Sequence, residues 1–208
     1  MIIEDMNGMQ PSAWVMWDIV DFHKDSKFVD PTSGNKTEAN NSLAYTGSVW
    51  GVGMADHDNE ELVLTNKYYT YGQFTKYINP GDTIIASSAN TLAAYNKNTG
   101  DIKIVANNGA NLSDVNYVFD LSGFNTVGTN VREIRTDMAG KEKWAEIKDG
   151  AVLDGKTLTT TLKANTVTTY LIETGAKVTS FEPTSTGLKY SYTPVSYTHL
   201  TLPTNSRV

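Results

Sequence analysis

The chain has 208 residues, of which 39% are hydrophobic and only 19% charged, a net charge of −6 and no cysteine. A chain of this length can bury roughly 70% of its unfolded surface, so one core of ordinary size is expected. The low charge and the abundance of Thr, Asn, Ser and Gly speak against a helical bundle or coiled coil. The acidic balance speaks against a nucleic-acid partner, and the missing cysteines exclude disulfides, thiolate zinc sites and cysteine nucleophiles.

In chain order, Ile2, Ile3, Met6 and Met9 fall at helical spacing, and Pro11 ends that helix. Met1–Asp5 lacks the basic stretch and apolar run of a signal peptide, so any export signal is expected upstream. The run Ala13-Trp14-Val15-Met16-Trp17-Asp18-Ile19-Val20 is apolar at nearly every position and is predicted as a strand of a parallel sheet buried on both faces. Residues 21–48 are polar and predict a long loop. A short strand is expected over Ser48–Met54. After an acidic turn, a helix is expected from Asn66 to Ile78, with Thr65 as N-cap, Tyr71, Phe74 and Ile78 on one face, and Asn79-Pro80-Gly81 as the stop.

From Asp82 the pattern becomes short strands and turns: Thr83–Ala86, Leu92–Tyr95, Ile102–Ala106, Val115–Leu121, Val131–Arg135, Trp144–Ile147, Thr157–Leu162 and Val167–Ile172. Within Val115–Leu121 the odd positions are apolar, the period of a half-buried strand. Strands without intervening helices predict a mainly β fold, an antiparallel β-sandwich closing near Gly175. Residues 176–194 read as the start of a further module or linker. No apolar run approaches 18 residues, so no membrane span is predicted.

Carboxylates are the plentiful catalytic type. Asp18, Asp21, His23 and Asp25 cluster at the end of the apolar run. They read either as an acid–base pair across a glycosidic bond or as a solvated loop mouth. Asp56-His57-Asp58-Asn59-Glu60-Glu61 reads as an exposed acidic turn, because it lacks the glycine spacing of a calcium loop. His23, His57 and His199 lack ligand spacing, so no metal and no cofactor is expected. There is no Gly-x-Ser-x-Gly elbow and no glycine-rich phosphate loop. Trp14, Trp50 and Trp144 read as packing residues. Trp17, at the end of its run before a polar loop, is the candidate stacking surface for a sugar.

Three stretches together resemble the family 30 glycoside hydrolases, especially the endo-β-1,6-galactanase-like and xylanase-like members. Ala13–Trp17 is similar to their last barrel strand. Lys67-Tyr68-Tyr69 with Gly72–Asp82 is similar to their final barrel helix and its Pro-Gly exit. Thr166–Ile172 is similar to the terminal strand of their β-domain. The resemblance spans about residues 1–174. Asn79 stands where the family usually has Arg, and Asp18 where many members have Gln or Tyr.

The resemblance implies a (β/α)8 barrel fused to a β-sandwich and retaining hydrolysis by two glutamates on the fourth and seventh barrel strands. Residues 1–81 are then a barrel remnant (last strand, long loop, last helix) and 82–175 the sandwich. No residue of this chain matches either glutamate, so no catalytic residue is assigned. Trp17 alone matches a position lining the innermost sugar site. The implied partner is a plant-type polysaccharide, the implied protein a monomeric, secreted or cell-surface bacterial enzyme. The alternative is a non-catalytic carbohydrate-binding or adhesion module, whose exposed aromatic row would have to come from Tyr95, Tyr117 and Trp144. Residues 195–204 resemble the translation of a sequencing adapter, which implies a coding sequence cut from a short metagenomic assembly and an artefactual tail over 195–208.

Overall fold

The computed structural model describes residues 1–17, 19–23, 51–56, 60–109, 113–173, 178–184 and 187–192. Helix α1 (Ile2–Met9) is followed by β1 (Val20–His23), β2 (Gly53–Asp56), β3 (Glu61–Leu64) and helix α2 (Asn66–Thr75). The β region then runs β4 (Asp82–Ile85), β5 (Thr91–Asn96), β6 (Ile102–Asn107), β7 (Val115–Asp120) and β8 (Asn130–Asp137). It continues through β9 (Ala145–Ile147), β10 (Val152–Asp154), β11 (Thr157–Leu162) and β12 (Thr166–Glu173). A separate antiparallel hairpin, β13 (Val178–Thr184) with β14 (Gly187–Tyr192), lies where a further module was expected.

The chain is mainly β, and its largest sheet is six-stranded and antiparallel, in the order β4-β5-β6-β12-β8-β9. A second antiparallel sheet has the order β10-β11-β7. Their facing sides meet in one apolar cluster. Tyr95, Ile102, Ile104, Tyr170 and Ile172 come from the larger sheet, and Phe119, Leu158 and Leu162 from the smaller. Burying each such side chain contributes about 1.5–3 kcal/mol. Tyr170 is fully buried, and its hydroxyl stays satisfied at 3.0 Å from Thr160 Oγ1.

The other face of the large sheet is also covered. Helix α2 lies against β8 and β12, and α1 against β5, where Asn7 Nδ2 donates to the Thr91 carbonyl at 2.8 Å. Double coverage explains why β5 and β12 are buried at almost every residue and tolerate neighbouring apolar side chains such as Ala93 and Ala94. The eight strands expected after Asp82 are all present. Strand β10 is additional, in a hairpin with β11 whose two-residue loop starts at Gly155 with φ +56°.

The N-terminal region departs from expectation. Residues 13–17 are extended but belong to no strand, and β1 begins only at Val20. Trp14 and Met16 turn inward, whereas Val15, Trp17 and Ile19 are 86%, 80% and 73% exposed. The expected strand over Ala13–Val20, buried on both faces, is therefore wrong for this chain. Among the described residues no strand pairs with residues 13–17, so only the face turned to α1 and α2 is covered.

Strand β1 runs parallel to β2, and β2 antiparallel to β3. Of the strand expected over Ser48–Met54, residues 48–50 lie outside the described residues, and the observed strand starts at Gly53. The run Leu62-Val63-Leu64 is itself part of β3. Helix α2 stops at Thr75, not Ile78, and Thr65 occupies its N-cap position without capping. Instead, the Thr65 N–H and hydroxyl both donate to the Val52 carbonyl at 2.9 Å, tying the helix entrance to the start of β2. Most of the expected 21–48 loop, and the 195–208 tail, lie outside the described residues.

Candidate functional site

Trp17, the sequence candidate for sugar stacking, sits at the end of the extended segment with most of its indole surface open to solvent. Trp14, three residues earlier, is half-buried. Its Nε1 donates to Asp5 Oδ2 at 2.8 Å, and its ring lies 5.8 Å from Tyr71 at a tilt of 51°. These contacts hold the extended segment between α1 and α2. A cavity of about 280 Å³ opens there, lined by Ile3, Trp14, Met16, Tyr71, Phe74 and Met138 among others. Tyr71, Phe74 and Ile78, the expected apolar face of the helix, are only half-buried. The buried positions of α2 are Asn66, Gly72 and Gln73.

That buried face is polar and bonded to the sheet, although Asn66 Oδ1 is buried without a partner. Gln73 Nε2 donates to Thr136 Oγ1 at 2.8 Å, and Thr169 Oγ1 donates to Gln73 Oε1 at 2.6 Å. Asn66 Nδ2 donates to the Asp137 carbonyl at 2.9 Å. An amide buried without partners would cost about 1–3 kcal/mol, so these bonds fix where the helix sits.

Of the acidic groups singled out in the sequence, Asp18, Asp25, His57, Asp58 and His199 lie outside the described residues, while Asp21, His23 and Asp56 belong to β1 and β2. Glu60 is exposed, in a left-handed turn with φ 54°. Among the described residues no group of three or more His, Asp or Glu could hold a metal ion.

One carboxylate pair outside that list has split proton affinities. Glu133 on β8 is 3% exposed, and burial raises its pKa despite Arg135 Nη1 at 3.7 Å. Glu142 accepts two hydrogen bonds from Arg135, at 2.5 and 2.6 Å, and these hold its pKa below the usual range. Divergent pKa values are the mark of an acid and its base. Here they are structural. The Glu133 carboxyl lies against Gly150 and Ile147, where even an added Cβ on Gly150 would fall 2.9 Å from Glu133 Cδ, so no substrate can reach it. Asp82 with Lys103 and Glu146 with Arg132 are further ion pairs within the large sheet, and Asp114 with Lys163 is one at the ends of β7 and β11.

An aromatic surface missed by sequence reading forms where the β8–β9 connection returns over α2. Trp144 packs on the helix beside Gly72, and its Nε1 donates to the Tyr69 carbonyl at 2.8 Å. It is thus outside the two-sheet core where it was expected. The rings of Tyr68 and Tyr69 lie 5.2 and 5.1 Å from it. Lys76 Nζ sits 4.3 Å from the Trp144 ring, and Lys143 Nζ 5.0 Å from Tyr69. Tyr95, by contrast, is buried in the core, and Tyr117 is half-buried. The aromatic row required by a binding module built on those three residues is absent from the described surface.

No family model matches the chain. An endo-β-1,6-galactanase of Hypocrea rufa is 25% identical over 160 residues, which is 74% of this chain and 28% of that protein. The chain thus spans little more than a quarter of the length of the curated relative it matches. A family 30 subfamily 8 xylanase from Clostridium acetobutylicum aligns over 60% of this chain and 31% of its own, at 24% identity and a TM-score of 0.49. A family 30 endoxylanase from Clostridium papyrosolvens aligns over 74% and 41%, at 20% identity and a TM-score of 0.47. The resemblance to endo-β-1,6-galactanase-like proteins drawn from the three motifs agrees with the sequence relative: the chain is similar to part of an endo-β-1,6-galactanase.

Proposed function

We propose that this chain is the C-terminal part of a secreted or cell-surface, retaining, endo-acting β-glycanase, and that it does not hydrolyse glycans by itself. The observation that carries the reading is the sequence match to an endo-β-1,6-galactanase over 160 residues that make up only 28% of that enzyme. The element order supports it. A helix, an extended apolar segment, a parallel strand pair and a second helix precede an uninterrupted antiparallel region. In this reading residues 1–81 complete a (β/α)8 barrel, and residues 82–175 form its β-sandwich side domain.

The two glutamates of a retaining mechanism must stand about 5–5.5 Å apart on a scaffold that holds both. Among the described residues Asp82, Asp114 and Glu146 are engaged in ion pairs, and the buried Glu133 is sealed off. In this reading the pair is supplied by barrel strands outside this chain. Trp17, open to solvent at the end of the extended segment, contributes a stacking surface at the innermost sugar site.

The test is reducing-sugar release from β-1,6-galactan, xylan and β-glucan, by this chain and by the longer protein that contains it. The longer protein should cleave one of them and the chain none. Activity in the chain alone would overturn the division of labour. An inert longer protein that still binds glycan would favour a binding module.

A further inference from the structure

We infer that the surface formed by Tyr68, Tyr69 and Trp144 with Lys76 and Lys143 is a binding site for a polysaccharide carrying ring carboxylates. The inference concerns binding alone and stands whether or not the longer protein cleaves glycans.

Three observations carry it. Trp144 holds φ 55°, a left-handed conformation that is costly for a bulky residue and is retained only where the surroundings enforce it. Its N–H reaches Thr136 Oγ1 at 3.2 Å and its indole N–H the Tyr69 carbonyl, so backbone and ring are both fixed against α2. The absence of a side chain at Gly72 leaves room for the indole. The half-buried indole is rigid, and the rings of Tyr68 and Tyr69 stand beside it at 47° and 64°, so the three make a preorganised, angled aromatic surface.

The lysines are the second observation. Lys103, Lys163, Arg132 and Arg135 each sit on a carboxylate. Lys76 and Lys143 are exposed, and among the described residues neither has a carboxylate partner. Their ammonium groups rest over aromatic rings instead. In a chain of net charge −6, two unneutralised cations on one aromatic surface are poised for an anion.

The third is the match of chemistry. A pyranose presents an apolar C–H face that stacks on an aromatic ring, and a ring carboxylate gives a lysine a stronger partner than a π-cloud. Single-stranded nucleic acid also combines stacking with negative charge. It would need a basic groove tracking many phosphates, and two lysines on an acidic chain do not make one.

The experiment is affinity electrophoresis of the full chain through gels containing polygalacturonate, neutral β-1,6-galactan or oligo-dT. Polygalacturonate should retard the chain, and neutral galactan and oligo-dT should not. The K76Q/K143Q variant should bind polygalacturonate about tenfold more weakly or worse, as expected for loss of two charge-assisted contacts. K148Q/K156Q carries the same net charge, with its changes at other exposed lysines, and should bind like the parent. All these substitutions are on the surface, and unchanged melting curves will show that each variant is folded. No retardation by polygalacturonate, equal loss in both double variants, or equal retardation by oligo-dT would each overturn the inference.

Discussion

Gln73 on α2 and Thr169 on β12, 96 residues apart in the chain, are joined by a fully buried hydrogen bond of 2.6 Å. Thr136 on β8 completes the arrangement from the other side of the same amide. Replacing Gln73 by Leu removes both side-chain bonds, leaving Thr169 Oγ1 only the Gln73 main-chain carbonyl at 3.1 Å and Thr136 Oγ1 only the Trp144 N–H at 3.2 Å, and we expect a loss of about 1–3 kcal/mol in urea denaturation. Converting Thr169 to Val in the same background should recover part of that loss, because an apolar group then meets an apolar group. If the single change is tolerated and the double variant is worse, the helix is held by something other than these bonds.

Gly72 should invert the usual helix rule. In an exposed helix Gly→Ala stabilises by about 1 kcal/mol. Here an added Cβ would lie 2.8 Å from Cε2 of Trp144, within the indole itself. Gly72→Ala is expected to destabilise by about 1–3 kcal/mol through overpacking. In a Trp144→Ala background the same change should become favourable. A double-mutant cycle read by thermal melting decides, and additivity of the two changes would count against the contact.

Two carboxylates should tilt the pH dependence in opposite directions. Partial burial raises the pKa of Asp82, but the Asn79 N–H, the Lys103 ammonium and the Asn96 amide outweigh it and bring it below the usual range. Its contribution is present at neutral pH and lost as pH falls through the folded value. Glu133 is the reverse. Burial raises its pKa and Glu142 adds to this, against the pull of Arg135 and Lys163. The folded state therefore holds that proton more tightly than the unfolded chain, and stability falls as pH rises from the ordinary carboxylate range through the raised value. Melting curves from roughly pH 2 to 8 should show Asp82→Asn flattening the acid limb and Glu133→Gln the upper limb. Unaltered limbs in either variant would refute its assignment.

Trp17 offers a contrast between stability and function. At 80% exposure its truncation to Ala should change the stability of this chain by no more than about 0.5 kcal/mol. In the longer enzyme the same change should lower turnover. Hydrogen exchange on the chain should likewise show protection concentrated between Asp82 and Ile172, with residues 12–17 exchanging fast. Protection at residues 12–17 equal to that of β12 would contradict the exposed face of Val15 and Trp17.

The antiparallel region was legible because its strands keep their period and their turns carry Gly, Asn and Asp. Strand β10 escapes such reading, since three residues cannot establish a period, and Val152 is 62% exposed. Residues 13–20 mislead for another reason. An unbroken apolar run records how many faces a segment can bury, and the neighbours present decide how many it does. The polar face of α2 is invisible in sequence because buried positions are sought among apolar residues, whereas Gln73 is buried by virtue of two threonines in distant strands. Trp17 is singled out by its place at the end of the run, and the structure shows it exposed. The Trp144 surface is not, because Lys76 and Lys143 meet the same rings only after the β8–β9 connection has folded back over the helix.

The strand order of the large sheet also bears on how the chain leaves the ribosome. Strand β12 lies between β6 and β8, and among the described residues it is the strand that joins β4-β5-β6 to β8-β9. Until Glu173 has emerged, the two halves present raw hydrogen-bonding edges toward a gap that the last strand of the region must fill. The gap therefore stays unsealed from the emergence of β6 to that of β12, a topology that favours slow closure.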